Sequence, residues 1–366
     1  MIIKKLSVLN YKNISQVEVE CSSGLNCFFG KNGMGKTNLL DALYYLSFCK
    51  SHLNTPDARI IRYGEEMCVL QGLYDFDGRE EEVFCAIRQG HRKQFKRNKK
   101  EYDRLSEHIG LLPLVMISPL DADLIRGGSD ERRRFIDMLI SQNDRQYLSA
   151  LIHYNKALLQ RNTMLRDRVA AADYSVYDVL EMQMATYGQT LYDKRRALLA
   201  ELTPLFNEYY ALIAGAQVEP VALEYRSHLS IGADFARSLH DTRERDLIIG
   251  YSTFGIHKDD VEMKLGDELM RRTGSQGQNK TYVIALKLAQ FSLMNSKGGT
   301  KPILLLDDVF DKLDADRVEK IIGLVSSARF GQIFLTDTNR KYLDRILASV
   351  GGDYALFDVE SGVVTN

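Results

Sequence analysis

The chain has 366 residues, with 48 Lys and Arg against 49 Asp and Glu, 45% hydrophobic and 27% charged residues. This ordinary globular composition excludes collagen-like, low-complexity and wholly disordered chains, and the length calls for two or three structural units. A formal net charge of −1 excludes a surface that is basic all over, but not a local basic face.

No apolar run approaches the ~18 residues of a membrane span, and residues 1–13 lack the apolar core and cleavage site of a signal peptide. Five cysteines (Cys21, Cys27, Cys49, Cys68, Cys85) fall in the first quarter without a C-x-x-C pair. They are expected to be reduced thiols of a cytoplasmic protein with no membrane association.

In chain order, residues 2–9 and 17–20 have strand character, with a turn at 11–13. Residues 25–29 are a short apolar run ending in Gly30, the pattern of a buried strand entering a loop. Residues 37–46 place Leu39, Leu40, Leu43 and Leu46 at helical spacing, and 67–74 and 83–88 return to strand character. The middle, about 131–215, is helical. Leu180, Met184, Tyr187, Leu191, Leu198, Leu202, Leu205, Tyr209 and Leu212 follow a heptad seam, with one skipped position filled by a charged residue. This predicts either an amphipathic helix pair that packs on its own protein or a short coiled-coil arm. Thr203 before Pro204 fits an N-cap and first helical position, so a second helix is expected to start there. Strand and helix then alternate again: helix at 281–294, strand at 303–306, helix at 317–325, strand at 333–336. An α/β pattern therefore brackets a helical insertion, and the expected division is 1–125, 126–240 and 241–366.

Residues 30–37 read G-K-N-G-M-G-K-T, the G-x-x-x-x-G-K-[ST] phosphate loop between a strand and a helix. Gly30, Gly33 and Gly35 let successive N–H groups turn onto phosphate oxygens, and the following helix adds its positive end. Lys31, Asn32, Met34 and Asn38 complete the lining, Lys36 supplies charge to the β- and γ-phosphates, and the Thr37 hydroxyl can ligate Mg²⁺. Residues 302–308, P-I-L-L-L-D-D, form a buried strand ending in two carboxylates. At the carboxyl end of a parallel strand Asp307 can hold the magnesium shell, and Asp308 can orient or deprotonate a water. Asp307 lies 277 residues beyond Gly30, so the two halves of the ATPase sheet must reassemble across the insertion. Between them, Ser275, Gln276, Gly277 and Gln278 precede a helix starting near Lys280 and resemble the L-S-G-G-Q signature of ABC-type ATPases. A second anion site on one chain makes sense if it serves the ATP of a partner protomer.

Further stretches run almost end to end: Lys50-Ser51-His52, Ser118-Pro119, Arg132-Arg133-Arg134, Tyr154 to Asn162, Gly255-Ile256-His257-Lys258-Asp259-Asp260, and Leu313-Asp314. With the motifs above they resemble the RecF family of bacterial recombination-repair ATPases, relatives of the SMC proteins. The resemblance implies an α/β, ABC-type P-loop ATPase head assembled from N- and C-terminal segments, with an inserted helical, short coiled-coil-like domain. It implies ATP and Mg²⁺ as cofactors, weak DNA-stimulated hydrolysis with Asp308 and Lys36 as catalytic residues, and an ATP-driven homodimer. It also implies a substrate, double-stranded DNA next to single-strand gaps, and partners, RecR and RecO, that load RecA in recombinational repair and replication restart. Leu53, Ile256 and Lys258 depart from the usual Arg, Pro and Arg of the family's motifs. No switch histidine follows residues 333–336, no Gln loop is visible near Ser118, and Asp308 replaces the usual ABC-type Glu, which suggests slow hydrolysis.

Residues 88–104 carry Arg88, Arg92, Lys93, Lys96, Arg97, Lys99, Lys100 and Arg104 against two acids. Such a segment can neutralise DNA phosphates, or it is a solvated hairpin with its tip near Asn98. Arg132-Arg133-Arg134 is a second basic candidate, although three consecutive helical residues cannot face one ligand. His257 is either a satisfied loop histidine or a ligand contact. Readings from other classes are a transporter nucleotide-binding subunit, disfavoured by the split sheet, and a nucleotide-dependent nuclease.

Overall fold

The computed structural model of the protein describes all residues except 168–173, 216–218, 233, 312, 328, 339–343, 347, 349–352 and 366. Parts of the expected helical insertion thus lie outside the described residues. The described chain forms two compact units: residues 1–121, 212–215 and 276–366, and residues 122–211 and 216–275.

The first unit holds two six-stranded sheets. One is antiparallel, built in the order β2-β1-β4-β5-β6-β7 from β1 (Ile2–Tyr11), β2 (Ile14–Glu20), β4 (Met67–Phe76), β5 (Arg79–Arg88), β6 (Gln94–Arg97) and β7 (Lys100–Glu101). The other runs β15-β14-β3-β13-β12-β8, from β3 (Leu25–Phe29), β8 (Leu114–Ile117), β12 (Ile303–Asp307), β13 (Ile333–Asp337), β14 (Tyr354–Glu360) and β15 (Val363–Thr365). It is parallel except at β15. Four of its strands are almost wholly buried, as parallel strands covered on both faces must be. Buried Gln332 links the sheets: its side chain exchanges hydrogen bonds with the Ile3 backbone, at 2.8 and 2.7 Å, and donates to the Ser22 carbonyl.

Helix α1 (Lys36–Phe48) touches β1, β4 and β5 of one sheet and β8, β12 and β13 of the other. It is therefore buried all round rather than along one stripe, which its dense Leu, Ala and Tyr content matches. A one-turn helix α2 (Asp57–Ile60) follows.

The second unit contains α3 (Asp123–Arg126), α4 (Ser129–Ser141), α5 (Arg145–Arg166), most of α6 (Tyr174–Ala214), α7 (Phe235–Asp241), α8 (Arg243–Ile249) and α9 (Met270–Thr273). It also has an antiparallel sheet, β11-β10-β9, from β9 (Val221–Arg226), β10 (Asp260–Leu265) and β11 (Glu268–Leu269). The pairings Lys194–Asp144, His153–Tyr187 and Arg161–Glu181 place α5 and α6 antiparallel. Helices α10 (Gln276–Lys297) and α11 (Ala315–Val325) belong to the first unit.

Three sequence expectations differ from this structure. The second joint lies between Ser275 and Gln276, not near 240, because β10 pairs along its whole length with β9 and Asp260 anchors Arg132. Helix α6 does not restart at Pro204 but runs through it. The Thr203 hydroxyl donates to the Leu199 carbonyl at 2.7 Å instead of capping a new helix, and Leu199, Leu202 and Phe206 are buried on either side of the proline. The seam also drifts from strict heptads. Met184, Leu191, Arg195, Leu198, Leu202, Phe206 and Tyr209 are buried, while Leu212 is 44% exposed. From Leu191 to Tyr209 the buried positions advance 18 residues in five steps, nearer the 3.6 of an ordinary helix than the 3.5 of a strict heptad. The skipped seam position is filled by Arg195, which is paired with Asp137.

Candidate nucleotide-binding and hydrolytic site

The phosphate loop begins where β3 ends. A Cβ on Gly30 would meet the Val359 carbonyl oxygen of neighbouring β14 at 2.3 Å, so only glycine allows this approach. Gly35 has φ 111° and caps α1, and its carbonyl accepts from the Asn38 and Leu39 N–H groups. Lys31, Asn32 and Gly33 face solvent, whereas Lys36 is buried. The Lys36 ammonium donates to the Gly30 and Lys31 carbonyls at 2.8 and 3.1 Å, bridging the mouth of the loop.

The loop is also held from outside. Asn13, in the β1–β2 turn, donates to the Gly33 carbonyl at 3.3 Å and accepts from the Asn38 amide at 2.7 Å. Gly362, in the β14–β15 turn, donates to the Met34 carbonyl at 2.9 Å. Below the loop, buried Asp41 of α1 accepts from Tyr11 Oη (2.6 Å), Lys12 Nζ (2.5 Å), Ser51 Oγ (2.8 Å) and the His52 N–H (2.6 Å). His52 then bonds Ser118 Oγ at 2.9 Å, the Ser118 N–H donates to Asp121, and Asp121 pairs with Lys287 of α10 at 2.8 Å. Where a Gln loop was absent, the chain thus has a buried ionic link between the end of β8 and α10. Burial pushes the His52 imidazole below its ordinary value.

The parallel register brings the second half of the site alongside. β13 lies between β3 and β12 and aligns Thr336 with both Phe28 and Asp307. Thr37 Oγ1 donates to Asp307 Oδ1 at 3.0 Å, joining residues 270 positions apart. Thr336 Oγ1 donates to the same oxygen at 2.7 Å and accepts the Asp308 N–H at 3.2 Å. Burial pushes the Asp307 carboxyl above its usual range, opposed by the two threonine hydroxyls. A hydroxyl and a carboxylate meeting at the open end of a phosphate loop are the hard oxygen donors Mg²⁺ requires, so the residues fit that ion. Asp308 has a left-handed backbone, φ 46°. Among the described residues no side chain hydrogen-bonds its carboxylate, which leaves it available to a water.

Ser275 and Gln276 are exposed, Gly277 and Gln278 are half-buried, and 276–278 open α10. A Cβ on Gly277 would lie 3.1 Å from Arg317 Nη1, and Arg317 also donates to Thr281.

The basic segment does form a hairpin, with Asn98 and Lys99 both at positive φ as a tight two-residue turn requires. Lys93 turns inward: its ammonium reaches the Tyr45 hydroxyl, the Cys49 carbonyl at the C-terminus of α1, and Asp57. Arg97 pairs with buried Glu81 at 2.5 Å, and Arg88 lies 3.6 Å from Glu66. Arg92, Lys99 and Lys100 are exposed, and Lys96 sits over the Phe84 ring.

The other motif residues are structural. Arg132 clasps Asp260 in a bidentate pair, Arg133 donates to the Asp259 carbonyl and Arg134 pairs with Glu131. The three arginines face three directions, as helical geometry dictates. His257 Nε2 faces the Ser252 carbonyl, an acceptor only, so Nε2 carries the proton and Nδ1 accepts from the Tyr154 hydroxyl at 2.8 Å. It is a satisfied loop histidine, and burial pushes its imidazole down to about 4.

Asn13, Asp41 and Thr336 were not legible as site residues. The signal available for Asn13 was a turn Asn before the loop, and for Thr336 a polar residue at a strand's carboxyl end where transporters place histidine.

The family model of the RecF/RecN/SMC N-terminal domain matches residues 2–353. The chain is 66% identical over 364 residues to the DNA replication and repair protein RecF of Parabacteroides distasonis, covering 100% of this chain and 99% of that one. The solved structure of the recombination mediator protein RecF with ATP, from the RecFOR pathway, superposes with a TM-score of 0.88 at 26% identity, over 99% of this chain and 96% of that one. An Smc head bound to the C-terminal winged-helix domain of ScpA has the same fold, with a TM-score of 0.61 at 15% identity over 100% and 96% of the two chains.

Proposed function

The chain belongs to the RecF family, and from that premise we propose that it is an ATP-switched DNA-binding protein of replication and recombinational repair, acting with RecO and RecR to load RecA. The observation that carries the ATP site is the Thr37–Asp307 hydrogen bond, which joins the phosphate loop to the second carboxylate site. ATP is the ligand in a solved RecF relative of the same fold.

In this reading the triphosphate enters the open face of residues 31–33. Lys36 exchanges the Gly30 and Lys31 carbonyls for phosphate oxygens, and the N-terminus of α1 adds its partial charge. Mg²⁺ bound with the nucleotide would be held by Thr37 and Asp307 and would neutralise charge on the β- and γ-phosphates. Asp308 orients the attacking water and accepts its proton. Its short side chain keeps hydrolysis slow. Ser275, Gln276, Gly277 and Gln278 complete the γ-phosphate site of a second protomer, so ATP closes a homodimer on duplex DNA and hydrolysis reopens it. The exposed Arg92, Lys99 and Lys100, with half-buried Lys96 beside them, supply phosphate contacts, and the tied Arg88, Lys93 and Arg97 hold the hairpin that presents them. The transporter reading has no support in the relatives, and no helix among the described residues is long and apolar enough to cross a membrane.

The test is equilibrium binding of a fluorescent ATP analogue to wild type, Lys36→Ala and Ser275→Arg. Lys36→Ala should weaken binding at least tenfold. Ser275→Arg should bind as wild type yet fail to dimerise. Equal affinity in Lys36→Ala would overturn the assignment of the loop.

A further inference from the structure

The end of β12 and the loop after it carry Asp307, Asp308, Asp311 and Asp314 within eight residues, and a cation from α10 reaches into that loop. Lys280, in the second turn of that helix, donates from Nζ to the Asp308 carbonyl at 3.1 Å and to the Asp311 carbonyl at 2.6 Å. Asp308 sits in the left-handed region at φ 46°, a conformation that is strained for a non-glycine residue and persists only when neighbours impose it. Both of its backbone polar groups are held: Thr336 Oγ1 accepts the N–H, and Lys280 donates to the carbonyl. The far end of the same loop is tied to the same helix. Arg317 pairs with Asp314 at 3.2 Å and donates from Nη1 to Thr281 Oγ1 at 3.3 Å.

From this geometry we propose that Lys280 is the positioning residue of the hydrolytic centre: it fixes the backbone of Asp308, and so the direction of its carboxylate, from the helix that begins with the signature residues. The proposal rests on the reading of Asp308 as general base. A carboxylate on a left-handed residue points elsewhere if that residue relaxes to the ordinary helical region, and a misdirected base loses catalysis without loss of substrate binding. The helix that receives the partner's ATP is thereby the same helix that aims the protomer's own base, so nucleotide docking at residues 276–278 bears directly on Asp308. Among the described residues no hydrogen bond joins Lys280 to residues 30–38, so its removal is expected to act on turnover and not on affinity.

The experiment measures single-turnover ATP hydrolysis, fluorescent-nucleotide affinity and backbone amide exchange of residues 308–311 in Lys280→Met, Lys280→Arg and Asp308→Asn, with thermal melting as a control for folding. The expected result is a tenfold or greater loss of turnover in Lys280→Met, nucleotide affinity within twofold of wild type, and faster amide exchange at 308–311. Lys280→Arg, which keeps a donor to both carbonyls, should recover at least a third of the rate. If Asp308→Asn is inactive while Lys280→Met turns over at the wild-type rate, the positioning role is overturned and the general base stands. If Asp308→Asn itself turns over normally, the general-base reading falls and the positioning role with it. Should Lys280→Met lose nucleotide affinity in parallel with rate, or Lys280→Arg rescue nothing, Lys280 is a binding or purely structural residue and the proposal is wrong.

Discussion

Asp41 accepts four hydrogen bonds in a fully buried position, one of them from the Lys12 ammonium, whose side chain is only 11% exposed. Removing one partner of such a pair leaves the other charge uncompensated, at a cost of about 3–5 kcal/mol. Asp41→Ala should therefore lower unfolding stability by about that amount in urea titration, and loss below ~1 kcal/mol would show the cluster to be dispensable. His108 gives a pH-dependent counterpart. It is fully buried between the Leu46 carbonyl and the Tyr102 hydroxyl, and burial pushes its imidazole down to about 4. Between that value and the ordinary 6.5 the unfolded chain binds the proton and the folded chain does not. Stability is thus full above pH ~6.5 and falls as the pH drops towards 4, by up to ~3 kcal/mol from this group. Urea midpoints at pH 7.5, 6 and 5 should fall less steeply in His108→Gln than in wild type; parallel curves would remove His108 as a source. Asp41, Thr336 and Asn13 could not be read as site residues because each works through partners far away in sequence: Asn13 reaches Gly33 and Asn38, and Thr336 reaches Asp307. The phosphate loop was legible because all its chemistry lies within nine consecutive residues.

At the scale of elements, β3, β12 and β13 were legible because each is a short apolar run buried on both faces. β14 and β15 were not, since β14 is broken by Asp358 and Glu360 and β15 is only three residues long, and yet β14 is the neighbour that forces Gly30 to be glycine. The α6 seam allowed either a helix pair packed on its own protein or a short coiled-coil arm, because its heptads are nearly regular. What the structure adds is a buried Arg195 with its own carboxylate, which local periodicity does not register. The β6–β7 hairpin shows the same limit: eight basic residues look alike in sequence, whereas Lys93 and Arg97 are committed to internal partners and Lys99 and Lys100 face solvent. DNA binding by Lys99→Glu/Lys100→Glu should accordingly be weaker for any sequence. The slope of log affinity against log salt should fall by about 1 for each DNA phosphate that a protomer no longer neutralises. An unchanged salt slope would place the DNA elsewhere.

For the whole molecule, near-neutral charge means that the proposed DNA affinity has to come from a local face, which the proposed homodimer would double. One protomer carries a complete phosphate loop with Thr37, Asp307 and Asp308 around it, plus a separate signature turn opening α10. In the proposed dimer these two sites are completed by a second copy, and ATP joins them. The most direct measurement is the mass of Asp308→Asn by light scattering, with and without ATP and Mg²⁺, followed by duplex DNA. The expected masses are that of the 41.7 kDa protomer without nucleotide and twice that with ATP, the doubled species alone retaining duplex DNA. A protein that stays at one protomer mass with saturating ATP, or that binds duplex DNA equally well as a monomer, would contradict it.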